Sequence, residues 1–318
     1  MPQQTQFGPA DLGNNVKMID LLEQDIPCRS AAYVILGDRP TLIETGSAKS
    51  HDILLAGLAA CNLHPEDLAY VIITHVHLDH AGGAGQIMEK ARRATLVVHP
   101  RGARHMIDPS RLWNGALQVY GESLSQLFGE MIPVPENRVL IRNDGETLDI
   151  GSRVLTFYDT PGHAKHHFTI LDPISDAVFS GDALGIRYRS CFTNWPFEWI
   201  MPSTSPVDFD PQAVQTTVEK LQQIPFRWVY HTHFGRSGKQ EALTNTESGA
   251  LAMAAVMKQA YHPQVTVDEV IKALVQWIHQ DLLKRGFSIH EEDILQTLAM
   301  DLPLDALGLM HWVQAKER

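Results

Sequence analysis

Cysteine is scarce, with three residues in a chain of 318: Cys28, Cys61 and Cys191. They are odd in number and widely spaced, forming neither a CxxC pair nor a disulfide framework. The expectation is therefore reduced thiols in a reducing compartment. Long apolar runs are missing as well. No stretch approaches the roughly 20 apolar residues that span a bilayer, and residues 1–15 are polar, without the apolar segment of a secretory leader. The expected location is cytoplasmic, with no membrane partner. Basic charge is in deficit, 26 Lys and Arg against 37 Asp and Glu for a net charge of −11. Binding a nucleic-acid backbone calls for a basic face, so no nucleic acid is expected and a small-molecule substrate is. Low-complexity tracts and internal repeats are also absent, and 44% hydrophobic with 20% charged residues is ordinary for a soluble globular protein.

Histidine, by contrast, is plentiful and clustered. The run Thr74-His75-Val76-His77-Leu78-Asp79-His80-Ala81-Gly82-Gly83 places four ligand-type side chains within six residues. Tyr70-Val71-Ile72-Ile73 before it reads as a buried strand, and Gln86 to Arg93 after it as a helix. Alternation along an extended segment sends His75 and His77 to the same side, and Asp79 and His80 follow where the chain turns. Such a cluster is costly to bury unless something pairs it, which a divalent metal does. The competing reading, ordinary surface histidines among the chain's 16, does not account for the clustering or the preceding apolar strand.

Three further ligand-type residues end apolar runs and open loops: His163 in Thr160-Pro161-Gly162-His163, Asp182 in Phe179-Ser180-Gly181-Asp182, and His233 in Thr232-His233-Phe234-Gly235. A rigid sheet delivers ligands to one edge at such places. Strands are also expected at 31–37 and 40–46 around a Gly-Asp-Arg turn, and at 95–99, 138–141, 147–150, 153–158, 168–171, 177–180 and 227–230. A helix is expected over 51–62 and an irregular helical insertion over 101–129. Asp210 with Pro211 opens a helix running to about Gln223. Three or four helices follow from Gln240, with Thr266/Glu269 and Ser288/Glu291 as capping boxes. Val267, Val270, Ile271, Leu274, Ile278 and Leu282 form a stripe suited to a core or a dimer contact. Alternating strands and helices are compatible with an α/β fold of two sheets with helices outside.

His75-x-His77-x-Asp79-His80 resembles the signature of the metallo-β-lactamase fold superfamily, and the later His163, Asp182 and His233 match its ligand order. The resemblance, which covers roughly residues 30–235, implies an αββα sandwich of two mixed sheets flanked by helices. The expected division is a catalytic domain over 1–240 and, outside the resemblance, a helical appendage over 241–318 that either caps the active site or mediates a homodimer. It also implies two divalent ions, zinc first, with iron or manganese as alternatives. One ion would be held by His75, His77 and His163, and the other by Asp79, His80 and His233, with Asp182 bridging. A metal-bridging hydroxide would attack the substrate, and Asp79 would orient it and carry a proton. The early strand ends in Glu44-Thr45-Gly46, where the family usually has Asp, which suggests outer hydrogen bonding by Glu44. His233 is preferred to His231 because it directly precedes Phe-Gly, and His167 matches a histidine that supports the ligands rather than binding metal. His64, His99, His105, His262, His279, His290 and His311 read as ordinary.

The implied activity is hydrolysis of a small ester, thioester or lactone, on the glyoxalase II and lactonase side of the superfamily. A flavodiiron-type reductase usually carries Glu where His77 stands. The alternatives are a phosphodiesterase of the same fold and a metal-binding sensor without turnover. The aromatic stretch from Arg187 to Met201 is either a pocket wall or packing against the C-terminal helices or a dimer partner. Arg187 and Arg189 either pair an anionic substrate group or are solvated.

Overall fold

Alternation along Tyr70 to Ile73 sets the first sheet. Val71 and Ile73 join a cluster with Leu54, Leu58, Ile87 and Met88. Ile72 joins a second cluster with Phe157, Phe168, Phe179 and Tyr230, as the two-residue period of a pleated strand requires. One face of the sheet thus buries helices and the other buries a second sheet. The computed structural model describes residues 8–316.

The first sheet runs in the order β1 (Ala10–Gly13), β2 (Val16–Asp20), β3 (Ala31–Ile35), β4 (Thr41–Ile43), β5 (Tyr70–Ile72), β6 (Thr95–Val98), β7 (Val139–Ile141). Its first four strands are antiparallel to one another, and β4 to β7 pair in parallel. The strands β8 (Thr147–Asp149), β9 (Val154–Asp159), β10 (Phe168–Asp172) and β11 (Ala177–Gly181) belong to the second sheet. A separate hairpin, β12 (Ile186–Tyr188) with β13 (Trp199–Met201), intervenes before β14 (Trp228–His231) and β15 (Gly235–Gly238) complete that sheet in the order β15-β14-β11-β10-β9-β8. The β11/β14 pair is parallel and its neighbours are antiparallel, so both sheets are mixed.

The helices are α1 (His51–Ala60), α2 (Leu78–Ala81), α3 (Ala84–Lys90), α4 (Pro100–Ile107), α5 (Ser110–Tyr120), α6 (Leu124–Phe128), α7 (Ser190–Thr193), α8 (Pro211–Gln223), α9 (Lys239–Ala260), α10 (Val267–Lys284), α11 (Glu291–Thr297) and α12 (Asp301–Lys316). Two mixed sheets with flanking and C-terminal helices are the architecture expected. Among the described residues no helix is long and apolar enough to cross a membrane.

The chain divides into two compact units. The first comprises the chain up to Asp159, His166–Gly181 and Pro225–Lys239, and so holds both sheets. The second comprises Thr160–Lys165, Asp182–Ile224 and the chain from Gln240. Within it, Asp210 caps α8 by accepting from Gln212 N at 2.9 Å, and the Thr266/Glu269 box forms. Val270, Leu274, Ile278 and Leu282 are buried, giving the α10 stripe a packing role. The Ser288/Glu291 box does not form. Helix α11 starts at Glu291 with His290 at its cap, where Glu291, Glu292 and Asp293 place three acids in the first turn against the helix dipole.

The aromatic stretch is packing rather than an open wall. Phe197 stacks on Phe287 at 4.1 Å between centroids, and Trp199 lies 6.5 Å from Trp277 of α10. Glu198 pairs with both Arg187 and Arg189, so the two cations, for which an anionic substrate group and solvent were the alternatives, hold a carboxylate of the chain itself. On α12, burial pushes the Asp305 carboxyl up to about 7, with the charges of Asp301 and Asp182 adding and bonds from Thr204 opposing. The expectation of three reduced thiols is corrected. Cys28 and Cys191 are each in the disulfide state and Cys61 is free, a state that cysteine number and spacing do not reveal.

Candidate metal centre

Strand β5 hands its chain to the ligand-type run at its carboxyl end. His77 takes an extended backbone as the N-cap of α2, so Asp79 and His80 occupy that helix's first turn. The expected common side for the first two histidines is seen directly, with His75 Nε2 at 3.0 Å from His77 Nδ1. The α2 turn is tied to the loop after β4, because the His80 carbonyl accepts from both Thr45 N and Thr45 Oγ1 at 2.9 Å.

Glu44 is wholly buried and organises this corner. It adopts a left-handed φ of +66°, a conformation that costs a non-glycine residue of order 1 kcal/mol or more. Its Oε1 accepts from Thr74 N at 3.2 Å and from the Thr74 hydroxyl, and lies 3.5 Å from His80 Nδ1. With its proton committed to Glu44, the Thr74 oxygen accepts from His75 Nδ1 at 3.1 Å. A neutral imidazole carries one N–H, so His75 Nε2 presents a lone pair.

The same logic holds for His233. Its Nδ1 lies 2.6 Å from the Arg29 carbonyl, which can only accept. The Nε2 lone pair therefore faces His80 Nε2 at 3.2 Å and Asp79 Oδ2 at 3.2 Å. Asp79, His80 and His233 place ligand atoms all within 4.8 Å of one another. Acceptors converging in this way suit a divalent cation, and an imidazole whose other nitrogen donates to a carbonyl or carboxylate is the usual form of a metal-binding histidine.

In the second unit, three hydrogen bonds hold the turn bearing His163. Thr217 Oγ1 donates to the Pro161 carbonyl at 2.6 Å, Asp210 N to the Gly162 carbonyl at 2.9 Å, and Lys165 N to Asp208 Oδ2 at 3.2 Å. His163 Nδ1 donates to the Ser203 carbonyl at 3.2 Å, which turns the Nε2 lone pair toward Asp182 Oδ2 at 3.5 Å. A lone pair facing a carboxylate across that gap again fits a cation. Asp182 is buried.

His231 is otherwise engaged, with Nε2 at 2.7 Å from Ser237 Oγ and its carbonyl accepting from the Tyr33 hydroxyl. His167 is buried, with its ring 4.8 Å from that of His75. Gly181 makes this packing possible: at φ +50°, a Cβ there would lie 2.4 Å from Thr74 Oγ1 and 2.5 Å from His167 Nε2.

Thr74 has a structural role that its place beside His75 in the sequence does not announce. A buried hydroxyl beside an acidic partner 30 residues upstream has no local signature. The carbonyls of Arg29 and Ser203 carry none at all, since backbone atoms are common to every residue. Glu23 was also missed. Burial raises its carboxyl, partly opposed by bonds from Ser47 and Ser50, and the charge of Asp79 raises it further.

The family model described as the metallo-beta-lactamase superfamily matches residues 25–233. The chain belongs to that superfamily. Among its relatives, the metallo-beta-lactamase fold-containing protein ST1585 of Sulfurisphaera tokodaii is 22% identical over 252 residues, covering 74% of this chain and 89% of that protein. The crystal structure of a metallo-beta-lactamase family protein from Thermus thermophilus, TTHA1429, has a TM-score of 0.68 at 19% identity, covering 96% of this chain and 95% of that one. The atrochrysone carboxyl ACP thioesterase of Aspergillus fumigatus is 21% identical over 294 residues, covering 87% of this chain and 78% of that protein. Superfamily members include metal-dependent hydrolases, and this member carries His and Asp groups able to hold a metal.

Proposed function

We propose that the protein is a metal-dependent hydrolase of a small ester, thioester or lactone, with two divalent ions as cofactors and zinc the first choice. His75, His77 and His163 would hold one ion, and Asp79, His80 and His233 the other, with Asp182 shared. The observation that carries the reading is the commitment of Nδ1 in His75, His163 and His233 to fixed acceptors, which leaves each Nε2 a lone pair, facing the carboxylate of Asp182 from His163 and of Asp79 from His233. When bound, such cations polarise a substrate carbonyl and lower the pKa of a water to roughly 7.

The chain's own groups supply the rest. Glu44, through Thr74, keeps His75 in one tautomer and also lies beside His80. Asp79, 31% exposed at its side chain and 3.2 Å from His233, would act as the base that takes a proton and passes it to the leaving group. Absence of Cys from the ligand set suits zinc as well as iron or manganese. The thioesterase named among the relatives favours a thioester within the substrate class.

Metal analysis of the purified protein, followed by a panel of thioesters, lactones and phosphodiesters, tests the reading. His77→Ala should lower any turnover by roughly 10²–10³-fold, the equivalent of the several kcal/mol a Lewis-acid cation contributes. Turnover undiminished by this substitution would rule the mechanism out, and turnover of phosphodiesters alone would replace the substrate class.

A further inference from the structure

We propose that Asp305, on the C-terminal helix α12, is a positioning residue for His163, acting through the Ser203–Thr204 segment. The proposal rests on the reading of His163 as a ligand. The Ser203 carbonyl is what the His163 Nδ1–H donates to. Its direction depends on the next residue, and Thr204 is held by Asp305 of α12. Thr204 N donates to Asp305 Oδ1 at 2.7 Å, and Thr204 Oγ1 lies 3.0 Å from both Asp305 Oδ1 and the Asp305 carbonyl. Both residues are buried, Thr204 completely and Asp305 to 3% exposure.

The helix face is shaped for this grip. Gly308 lies one turn beyond Asp305 on the same face, and a Cβ there would stand 1.6 Å from the Thr204 carbonyl oxygen. Only glycine lets the two backbones approach so closely. One turn before Asp305, Asp301 accepts from the Tyr188 hydroxyl at 3.0 Å. Asp305 thus bonds the residue that follows the carbonyl orienting His163, and Gly308 lets α12 come close enough for it to do so. An outer partner of this kind acts on metal affinity through the ligand it aims.

The test uses the full chain with Asp305→Ala, which removes the acceptor, and Asp305→Asn, which keeps an oxygen for Thr204 N. Two readouts apply: the His163 ring tautomer in metal-free protein by 15N–1H NMR, and zinc dissociation constants by chelator competition. Asp305→Ala should mix the His163 tautomers and weaken one zinc by about 10–100-fold, while Asp305→Asn should stay near the parent in both. The proposal is overturned if Asp305→Ala leaves the tautomer and the zinc constants unchanged, or if Asp305→Asn loses as much as Asp305→Ala. Should Asp305→Ala not fold, Asp305→Ser, too short to reach Thr204 N as the carboxylate does, takes its place: mixed tautomers support the proposal and an unchanged tautomer refutes it. Neither readout involves turnover, so failure to find a hydrolysed substrate would count against the hydrolase reading and not against this one.

Discussion

Replacing Thr74 with valine, nearly the same shape without the hydroxyl, isolates the link between Glu44 and His75. Thr74 is wholly buried, so water cannot substitute for what is removed. The Glu44 carboxylate loses a charge-assisted bond, worth about 1.5–3 kcal/mol, and the His75 Nδ1–H loses its acceptor at about 1 kcal/mol or more. Together the loss is about 3 kcal/mol. For folded units of this size, where each kcal/mol moves Tm by roughly 2–4 °C, the metal-free protein should melt about 6–12 °C lower. Zinc affinity should fall in parallel by about 10–100-fold, because His75 is no longer held in one tautomer. Thr74→Ser keeps the hydroxyl and should recover most of both losses. Differential scanning calorimetry and chelator competition on the three proteins measure these quantities. A valine variant that melts within about 1 °C of the parent and binds zinc equally well would show that the hydroxyl link does not organise the site.

Gly181→Ala should destabilise by more than the roughly 1 kcal/mol of an ordinary left-handed-glycine substitution, because its Cβ would collide with Thr74 and His167 as well. Urea unfolding reads this directly, and a change near zero would mean the two side chains can move aside. The Asp305 carboxyl sits at about 7 in the folded chain against an ordinary 3.8. The folded state thus holds the proton more tightly, and this contribution to stability, full below about pH 4, fades as pH rises through 7. Between about pH 5 and pH 8, metal-free parent protein should lose of order a few kcal/mol that Asp305→Asn does not lose. Identical pH profiles for the two proteins would contradict that assignment.

Legibility in the sequence tracked locality. Strands such as β5 announce themselves through an unbroken apolar, mostly β-branched run, and helices such as α8 through a cap with proline behind it. The His75 to His80 run reads from spacing alone. His163, Asp182 and His233 became recognisable only through their order, since a lone histidine at a strand end has many ordinary explanations. What could not be read were relations set by tertiary packing: the Thr74 link, the carbonyls of Arg29 and Ser203, and the disulfide state of Cys28 and Cys191. The aromatic stretch shows the limit from the other side. Its composition suited a pocket, but stacking on Phe287 and the Glu198 pairs with Arg187 and Arg189 come from residues brought together only by folding.

One oxygen, Glu44 Oε1, stands beside the supports of both His75 and His80, which the proposed centre assigns to different ions. A shared anchor of this kind makes the two occupancies thermodynamically interdependent: filling either position settles the oxygen on which its neighbour relies. Loading should then depart from two independent isotherms, and a change at residue 44 should disturb both halves of the pair together.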